Sequence, residues 1–341
     1  MKKHDLLPSK KHLIRIAIFC AIIILLPIFV KDDYVIRILT EIFFFAALGE
    51  AWNIIGGFAG QTSWASDSFF VCGGFAALIL FVDYGISPWI GMWVGAAITV
   101  VLALIIGLPT LRLRGVYFAI ATISCSTIFR QILLNMKITN GSVGRTLMNM
   151  SHELDFLSLN FPSNQYFYYI AFVWMLVVVA ITAIIKNTYL GYYLRAISCD
   201  EDAANAMGMK TYKTKVMAFI ISAILISISG SFYAFKVAFV NPNSMGSHDM
   251  AVRIAVVAII GGMGTVWGPV LGAFIGVFVY EMASLHLAHL GGGGAGYAIY
   301  GLAIVLIVLL RPNGLISLGE PIKKFLVSKF KKVSKEGVTN G

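Results

Sequence analysis

Long apolar runs separated by short polar segments dominate this 341-residue chain. An apolar run of about 18 residues or more is long enough to cross a bilayer as a helix. Runs of that length lie near Leu13–Val30, Tyr34–Ile55, Trp64–Val82, Pro88–Leu108, Val116–Met136, Tyr166–Ile185 and Val216–Phe235. A shorter last run, Tyr297–Leu310, is extended by the glycines before it. The pattern predicts an all-α polytopic membrane protein with about eight transmembrane helices.

One more apolar stretch, Ala251–Tyr280, is interrupted by glycines and a proline, at Gly261, Gly262, Gly264, Gly268 and Pro269. Each half is expected to be too short to cross alone. The stretch therefore predicts a broken, re-entrant segment that enters the membrane and returns to the same side. Irregular backbone at that depth must be buried in protein or line a wet cavity.

Charged residues make up only 12% of the chain, about half the share of an ordinary soluble domain. A soluble enzyme, a nucleic-acid binder and a disordered chain are therefore all disfavoured. The net charge of +10 is explained by position, because 18 of the 26 Lys and Arg residues lie in four segments. These segments are the N-terminus, the Pro109–Gly115 loop, the Lys186–Lys215 loop and the C-terminal segment. Eight crossings place all four on one side, as cytoplasmic loops require.

This sidedness predicts that both termini are cytoplasmic and divides the chain into three parts. They are a basic N-terminus (1–12), a transmembrane domain (13–311) and a basic tail (312–341). The first run is expected to stay as an uncleaved helix, because it is long for a signal peptide and no small-residue cleavage site follows it. Arg112 and Arg114 are interpreted first as topological anchors, and contact with a partner protein is the less favoured role.

The cytoplasmic loop 186–215 contains the pattern of a short helix. Ser198 and Glu201 have the spacing of a capping box, acidic residues follow, and Gly208 is placed to end the helix. A helix of about ten residues is marginal alone in water and needs a surface to lie on. That surface is either its own protein and lipid, or a partner subunit.

Asp202-Ala203-Ala204 followed by Gly208 resembles the EAA-x3-G loop of ABC importer permeases. Longer strings resemble the branched-chain amino acid (Liv-type) permeases, at Ala51–Gln61, Leu111–Thr122, Gly261–Ala273 and Leu310–Leu315. The resemblance implies a short coupling helix that docks on ATPase subunits, formed by Ser198, Glu201, Asp202, Ala203, Ala204 and Gly208. It also implies a second homologous permease subunit, two cytoplasmic ATPases that bind ATP and magnesium, and an extracytoplasmic binding protein.

The chain contains no phosphate-binding loop of the G-x-x-x-x-G-K-[ST] type, so ATP hydrolysis is assigned to partners and no enzyme activity or cofactor is expected here. His286 and His289 lack a third ligand nearby, and no metal site is predicted. No nucleophilic triad or paired-carboxylate pattern is present in the sequence.

Ionisable residues inside spans are functional candidates by default, and Glu41, Glu50, Asp67 and Arg130 qualify. They would lie on a substrate path or a proton relay, and the alternative is a buried tie between two helices or a side chain that extends to the lipid headgroups, which is favoured for Glu41, Glu50 and Arg130. The similar glycine-rich breaks at Gly56–Gly60 and Gly261–Gly264 suggest two copies of an ancestral half and mark a translocation path. They could also serve only close helix packing. The candidates for the path are Gly60, Gln61, Ser63, Asp67, Thr122, Ser126, Gly261, Gly262 and Gly264.

Departures from the family pattern leave the substrate open. Ala65-Ser66 replaces a usual Gly-His pair, and Thr127 stands where a Glu is common. Branched-chain amino acids are the default, and urea, short amides or another amino acid are alternatives. An ion-coupled secondary transporter that uses Asp67 or Glu50, and a scaffold without transport, are the competing classes. The expected location is the bacterial cytoplasmic membrane.

Overall fold

The computed structural model describes residues 32–147, 164–287 and 314–318, together with single positions at 23, 26, 27, 159, 161, 301, 302, 305 and 309. The predicted first and last spans, Leu13–Val30 and Tyr297–Leu310, lie almost wholly outside the described residues. The N-terminus 1–12 lies outside them too, as does most of the tail 312–341.

The described chain is almost entirely helical. In chain order the helices are α1 (Asp33–Asn53), α2 (Ser66–Tyr84), α3 (Pro88–Thr110), α4 (Val116–Asn135), α5 (Asn164–Lys186), α6 (Tyr189–Cys199), α7 (Glu201–Ala206), α8 (Thr211–Val237), α9 (His248–Gly261) and α10 (Gly268–Leu287). A π-helical turn, Ile54–Phe58, extends α1, and a 3-10 turn covers Leu315–Leu318. Among the residues that the structure describes, six helices, α1 to α5 and α8, are long and apolar enough to span a membrane. The prediction of an all-α polytopic membrane protein is confirmed.

Helix α1 forms the centre of the bundle and packs against α5, α8, α9 and α10. Its aromatic side chains Phe43, Phe44 and Trp52 are fully buried. On one side of α1, helices α2, α3 and α8 pack with their backbones in contact. A Cβ added at Gly73 in α2 would overlap the Ser227 carbonyl of α8, and one at Gly230 would overlap the Phe70 carbonyl. These contacts fix α2 and α8 against each other without room for sliding.

The two ends of the bundle carry different loops. At one end, the Arg114 guanidinium bonds the Asp202 carboxylate at 2.8 Å, which joins the α3–α4 loop to the loop between α5 and α8. At the other end, Arg145 pairs with Asp83 at 2.8 Å, and a short antiparallel ladder joins β1 (Arg145–Thr146) to β2 (Phe239–Val240). We call these the Arg114 end and the Arg145 end. Loops predicted to share a side therefore share an end of the structure.

Helices α9 and α10 form an antiparallel hairpin. Near its turn Gly261 packs on Gly268, and farther away the Arg253 guanidinium carbon lies 4.3 Å from the centre of the Tyr280 ring. The returning path predicted for this broken segment is confirmed. Helix α9 has 14 residues, and the apolar part of α10, Gly268–Met282, is a shorter apolar helix that does not count among the six spans, as the sequence predicts for each half. The backbone of α10 continues as a helix to Leu287.

Helix α2 begins inside the bundle rather than at its surface. In α2, the contact residue Gly73 lies seven residues after Ser66, the first residue of the helix, which is about 10 Å. In the parallel helix α8, the contact residue Ser227 lies 16 residues after the first residue, Thr211, which is about 24 Å. Since Gly73 and Ser227 touch, α2 starts well inward of the end of α8. The chain from 59 to 65 must therefore run into the bundle from the Arg114 end.

A second irregular segment, 241–247, enters the bundle from the Arg145 end. A Cβ at Gly246 would lie 3.3 Å from Val71, and one at Gly74 would lie 3.1 Å from the Met245 methyl group. The two segments approach each other, because the rings of Trp64 and His248 are 5.7 Å apart. Two non-helical stretches of chain thus enter from opposite ends and meet inside the bundle.

Candidate functional site

Helix α7 is the predicted coupling helix, and Asp200 is its N-cap. The Asp200 carboxylate accepts hydrogen bonds from the backbone N–H of Asp202 at 2.9 Å and of Ala203 at 3.0 Å. The predicted capping box is therefore wrong. Ser198 lies within α6, and the chain leaves helical geometry only at Asp200, where φ is −158° and ψ is 110°. The helix has six residues rather than about ten.

Gly208 ends α7 as predicted. Its φ of +81° is the left-handed conformation that favours glycine. Its N–H bonds the Asn205 carbonyl at 2.9 Å, and the Met209 N–H bonds the Ala204 carbonyl at 3.1 Å. This pair of bonds is the Schellman motif, which satisfies the last carbonyls of a helix.

Two cations hold α7 in place. The Lys215 ammonium of α8 lies 2.7 Å from the Glu201 carboxylate, and the Lys215 side chain is only 2% exposed. Arg114 binds both oxygens of Asp202 at 2.8 and 2.9 Å and lies 3.5 Å from Glu201. The Arg114 guanidinium lowers the pKa of the Asp202 carboxyl below its ordinary value. Helix α7 is thus fastened to α8 and to the α3–α4 loop.

The outward surface of α7 carries small and apolar residues beside the polar residues Asp202 and Asn205. Ala204 is buried against the protein, whereas Ala203, Ala206 and Met207 are exposed, with Met207 at 80%. Two alanines permit close approach by another backbone, and the flexible Met207 side chain adapts to the shape of a partner. This face is available for a protein outside the chain.

Gly60 connects the coupling loop with the segment that enters the bundle. Its φ is +65°, and a Cβ on it would lie 2.7 Å from the Ser198 hydroxyl oxygen. Next to it, the Gln61 carbonyl oxygen of the side chain is buried and has no hydrogen-bond partner among the described residues. The Ser63 carbonyl accepts a 2.7 Å bond from the Trp52 indole. Ser198 therefore contacts the start of the candidate path, although it does not cap α7.

Asp67 joins the start of α2 to the middle of α4. The Ser126 hydroxyl donates to the Asp67 carboxylate, with oxygen–oxygen distances of 2.7 and 2.8 Å. One turn earlier, the Trp64 N–H donates to the Thr122 hydroxyl at 3.2 Å, while that hydroxyl donates to the Ala119 carbonyl. Asp67, Thr122 and Ser126 are all buried. The structure brings these three predicted residues together.

The two glycine-rich breaks touch each other through Asn53. Its side-chain oxygen accepts from the Gly264 N–H at 2.8 Å, and its side-chain nitrogen donates to the Thr265 carbonyl at 2.8 Å. Gly57 packs on Gly264, and Gly314 packs on Gly261 and Gly262. Three of the four family-like strings therefore meet at one place near the Arg114 end.

The remaining intramembrane charges differ in their surroundings. Glu41 pairs with Lys236, so the tie between two helices predicted as one alternative is present. Glu50 is completely buried, and neither of its carboxylate oxygens has a hydrogen-bond partner in the described part of the chain. The Arg130 Nε atom is buried and unbonded within the same residues.

Sequence reasoning missed Asp200, Lys215 and Asn53. Asp200 carries a visible signal, since Asp is as good an N-cap as Ser and stands directly before the helix. Asn53 is a polar residue within an apolar run, just before a double glycine. Lys215 has no local signal, because its partner lies 14 positions earlier in the chain.

Comparisons with known proteins agree with these features. A family model described as "Branched-chain amino acid transport system / permease component" matches residues 34–311. The high-affinity branched-chain amino acid transport system permease protein LivM of Escherichia coli is 27% identical over 311 residues, covering 84% of this chain and 71% of LivM. A probable branched-chain amino acid transport permease protein LivH of Methanocaldococcus jannaschii is 24% identical, covering 73% of this chain and 79% of LivH.

A more distant relative, the ribose import permease protein RbsC of Haemophilus influenzae, is 29% identical over 33% of this chain and 37% of its own length. No solved structure matches the chain. The family match covers the chain from the second residue of α1 through α10 and includes both breaks. The chain therefore belongs to the family of branched-chain amino acid transport system permease components.

Proposed function

We propose that this chain is the membrane-spanning subunit of an ATP-driven importer that moves branched-chain amino acids across the bacterial inner membrane. The observation that carries the proposal is the coupling helix α7. It presents Ala203, Ala206 and Met207 outwards, while a buried ion pair fixes its inner side to a membrane span. The names of the LivM and LivH relatives support the substrate class.

The chain crosses the membrane eight times, with both termini in the cytoplasm. Six spans are described, and the runs Leu13–Val30 and Tyr297–Leu310 supply the other two. The Arg114 end carries the basic loops and faces the cytoplasm, as the distribution of Lys and Arg favours. The α9–α10 hairpin enters from the Arg145 end and returns to it. The division into residues 1–12, 13–311 and 312–341 follows from this topology.

ATP and magnesium bind to two partner ATPases, which dock on α7, and the permease has no catalytic role. Closure of the ATPases moves α7, and the Glu201–Lys215 pair carries that motion into α8. Because α8 contacts α2 through Gly230 and Gly73, the start of α2 with Asp67 moves as well. The contact between Ser198 and Gly60 offers a second route to the same segment.

A second permease subunit covers helix α4. Of the six spans, α4 is the least buried and also the least apolar. Its exposed residues include Ser124, Thr127, Gln131 and Asn135, which fall within about 80° of arc at 100° per residue. The exposed mid-span residues of α3, such as Val94, Ile98 and Val101, are apolar instead. Lipid suits the face of α3, whereas protein or a wet path suits that of α4.

The face of α4 also fits the proposed substrate class. Hydroxyl and amide groups without formal charge alternate there with Ile120, Ile128 and Ile132. A zwitterion with an aliphatic side chain can pass such a wall without being trapped by a strong ion pair, which a conducting path requires. The candidates Gly60, Gln61, Ser63, Asp67, Thr122, Ser126, Gly261, Gly262 and Gly264 position this wall from inside the subunit.

The test is reconstitution of the chain in proteoliposomes with its ATPases, its second permease and its binding protein. Leucine uptake is expected to require ATP and all partners. Ala204→Asp, which places a charge in a buried position, is expected to leave the protein in the membrane but to separate ATP hydrolysis from uptake. Gly208→Pro is expected to do the same. Uptake by this chain alone, driven by an ion gradient and indifferent to ATP, would establish a secondary transporter instead.

A further inference from the structure

A cavity of about 320 Å³ opens at the Arg145 end, between the end of α8 and the start of α9. Its apolar lining includes Val237, Met245 and Met250, and its polar lining includes Ser244, Asp249 and Arg253. We call it the Arg253 cavity. A volume of this size is at the lower end of the range for small-molecule sites. One amino acid of the size of leucine fits within it.

The lining of the Arg253 cavity contacts α2, the helix that carries Asp67. Met245 lines the cavity and contacts Gly74 of α2. The same segment continues to His248, whose ring lies against Trp64. The stretch of chain that lines the cavity at Met245 therefore also reaches Trp64, the neighbour of Ser63 on the candidate path.

Arg253 carries a positive charge that the described protein leaves without a carboxylate. Its guanidinium lies 4.5 Å from the ring centre of Phe45 and 4.3 Å from that of Tyr280. The two neighbouring carboxylates are already paired, since Glu41 binds Lys236 and Glu281 binds Arg37. Within the described residues, no acidic side chain lies at ion-pair distance from Arg253. A guanidinium at membrane depth that faces a cavity favours an anionic guest.

A negative charge is available one turn away. Asp249 lies in the first turn of α9, lines the same cavity and is exposed. Asp249 and Arg253 form no ion pair with each other, although they are four residues apart on one helix. The cavity thus offers one anion and one cation to a guest, between walls of Val237 and Met250.

We propose that the Arg253 cavity is the site where the permease receives its amino acid. The α-carboxylate binds Arg253, the ammonium binds Asp249, and the aliphatic side chain packs on Val237 and Met250. This proposal rests on the proposed function, because it takes the transported solute to be a zwitterion with an aliphatic side chain. It assigns a substrate-binding role to Arg253 and Asp249.

The test measures occupancy directly. In a transporter whose native cysteines are replaced, Ser244→Cys places one thiol in the lining of the cavity. Leucine at millimolar concentration is expected to slow alkylation of this thiol at least threefold, while leucinamide, which lacks the carboxylate, leaves the rate unchanged. Val143→Cys, a thiol at the same end but outside the cavity, is expected to react at the same rate with or without leucine.

Substitutions then identify the binding groups. Arg253→Gln is expected to abolish protection by leucine, and Arg253→Lys to weaken it. Arg37→Gln, which alters a paired arginine at the same end, is expected to retain it. Asp249→Asn is expected to weaken protection by leucine but not by 4-methylpentanoate, which has no ammonium group.

Two failures can be told apart. If the transporter imports leucine with ATP and leucine does not protect the thiol of the Ser244→Cys variant, the cavity is not the receiving site and the proposed function stands. If protection by leucine persists in Arg253→Gln, the role of Arg253 in binding the carboxylate is overturned. If the complete transporter imports no branched-chain amino acid, the proposed function itself is wrong. Protection by leucinamide equal to that by leucine would also overturn the role of Arg253.

Discussion

The Asn53 side chain forms hydrogen bonds with the backbone of two consecutive residues, Gly264 and Thr265. Its oxygen accepts from the Gly264 N–H and its nitrogen donates to the Thr265 carbonyl, each at 2.8 Å. Asn53 closes the last turn of α1, and Gly264 lies in the loop between α9 and α10. One amide group therefore holds the two glycine-rich breaks together.

Asn53→Ala is expected to lower the free energy of unfolding by about 2 kcal/mol, because it leaves two partly buried backbone groups without partners. The thermal midpoint of the purified subunit in detergent measures the loss. Asn135→Ala removes an exposed amide of the same type and is expected to have little effect on the subunit alone. Equal midpoints for the two variants would show that the breaks are held by packing alone.

Gly60→Ala is expected to reduce uptake at least tenfold, because the new Cβ would lie 2.7 Å from the Ser198 oxygen. Gly85 is the matched control, since its φ of +67° is similar and no atom lies within 4 Å of a Cβ placed there. Gly85→Ala therefore adds the same backbone strain without the contact. Ser198→Gly is expected to restore part of the uptake lost in Gly60→Ala. Identical losses in Gly60→Ala and Gly85→Ala would assign the effect to backbone strain.

Glu201→Gln is expected to lower the free energy of unfolding by about 3 kcal/mol, since it leaves the buried Lys215 ammonium without a counter-charge. The double variant Glu201→Leu, Lys215→Met is expected to recover stability but not the coupling of ATP hydrolysis to uptake. Lys213→Met, an exposed lysine two residues from Lys215, is the control and should change neither quantity. If ATP hydrolysis still drives normal uptake in the stable double variant, the Glu201–Lys215 ion pair does not transmit the motion of the ATPases.

The contribution of the Arg114–Asp202 pair to stability is expected to depend on pH only in acid. Because Arg114 lowers the Asp202 pKa from its ordinary value of 3.8, the contribution of the pair is complete above that value and disappears as the pH falls below it. Stability across about pH 5 to 8 is therefore expected to show no transition from this pair. The difference between the thermal midpoints of the wild type and of Asp202→Asn, followed as the pH is lowered, measures the contribution of this pair to stability. A change in stability near neutral pH that is present in the wild type and absent in Asp202→Asn would contradict the lowered pKa of Asp202.

Thr127→Cys and Gln131→Cys on α4 are expected to form cross-links with the second permease subunit when the assembled transporter is treated with a thiol-anchored photoreactive reagent. Ile98→Cys and Val101→Cys, which are exposed on α3, are expected to react with lipid only. Mass analysis of the products separates the two results. Lipid adducts alone at Thr127 and Gln131 would place the polar face of α4 in the bilayer.

The spans were predictable because membrane helices must satisfy their own backbone, so that apolar length alone locates them. Pro88 and Val116 begin α3 and α4 where the sequence indicates, and the broken segment returns as its glycines predict. The start of α9 inside the bundle was not predictable. It depends on Gly74 and Gly246, which allow residues 241–247 to enter against α2.

The coupling helix was predictable in place but not in detail. Ser198 and Asp200 are competing N-caps two positions apart, and packing of α6 decides between them, since Leu194 and Ile197 are buried and keep Ser198 helical. The interpretation of Arg114 as a topological anchor omitted its partner. Arg114 meets Asp202 across 88 positions of sequence, a distance that no local pattern spans.

Glu201 and Lys215 are only 14 positions apart, and their pairing closes a short loop of chain. Short loops close at small entropic cost, and nothing beyond α8 is needed to neutralise the buried lysine. During synthesis the pair can form while the α9–α10 hairpin is still inside the ribosome. The surface of α7 that we propose as the docking site is then built before the subunit has finished folding.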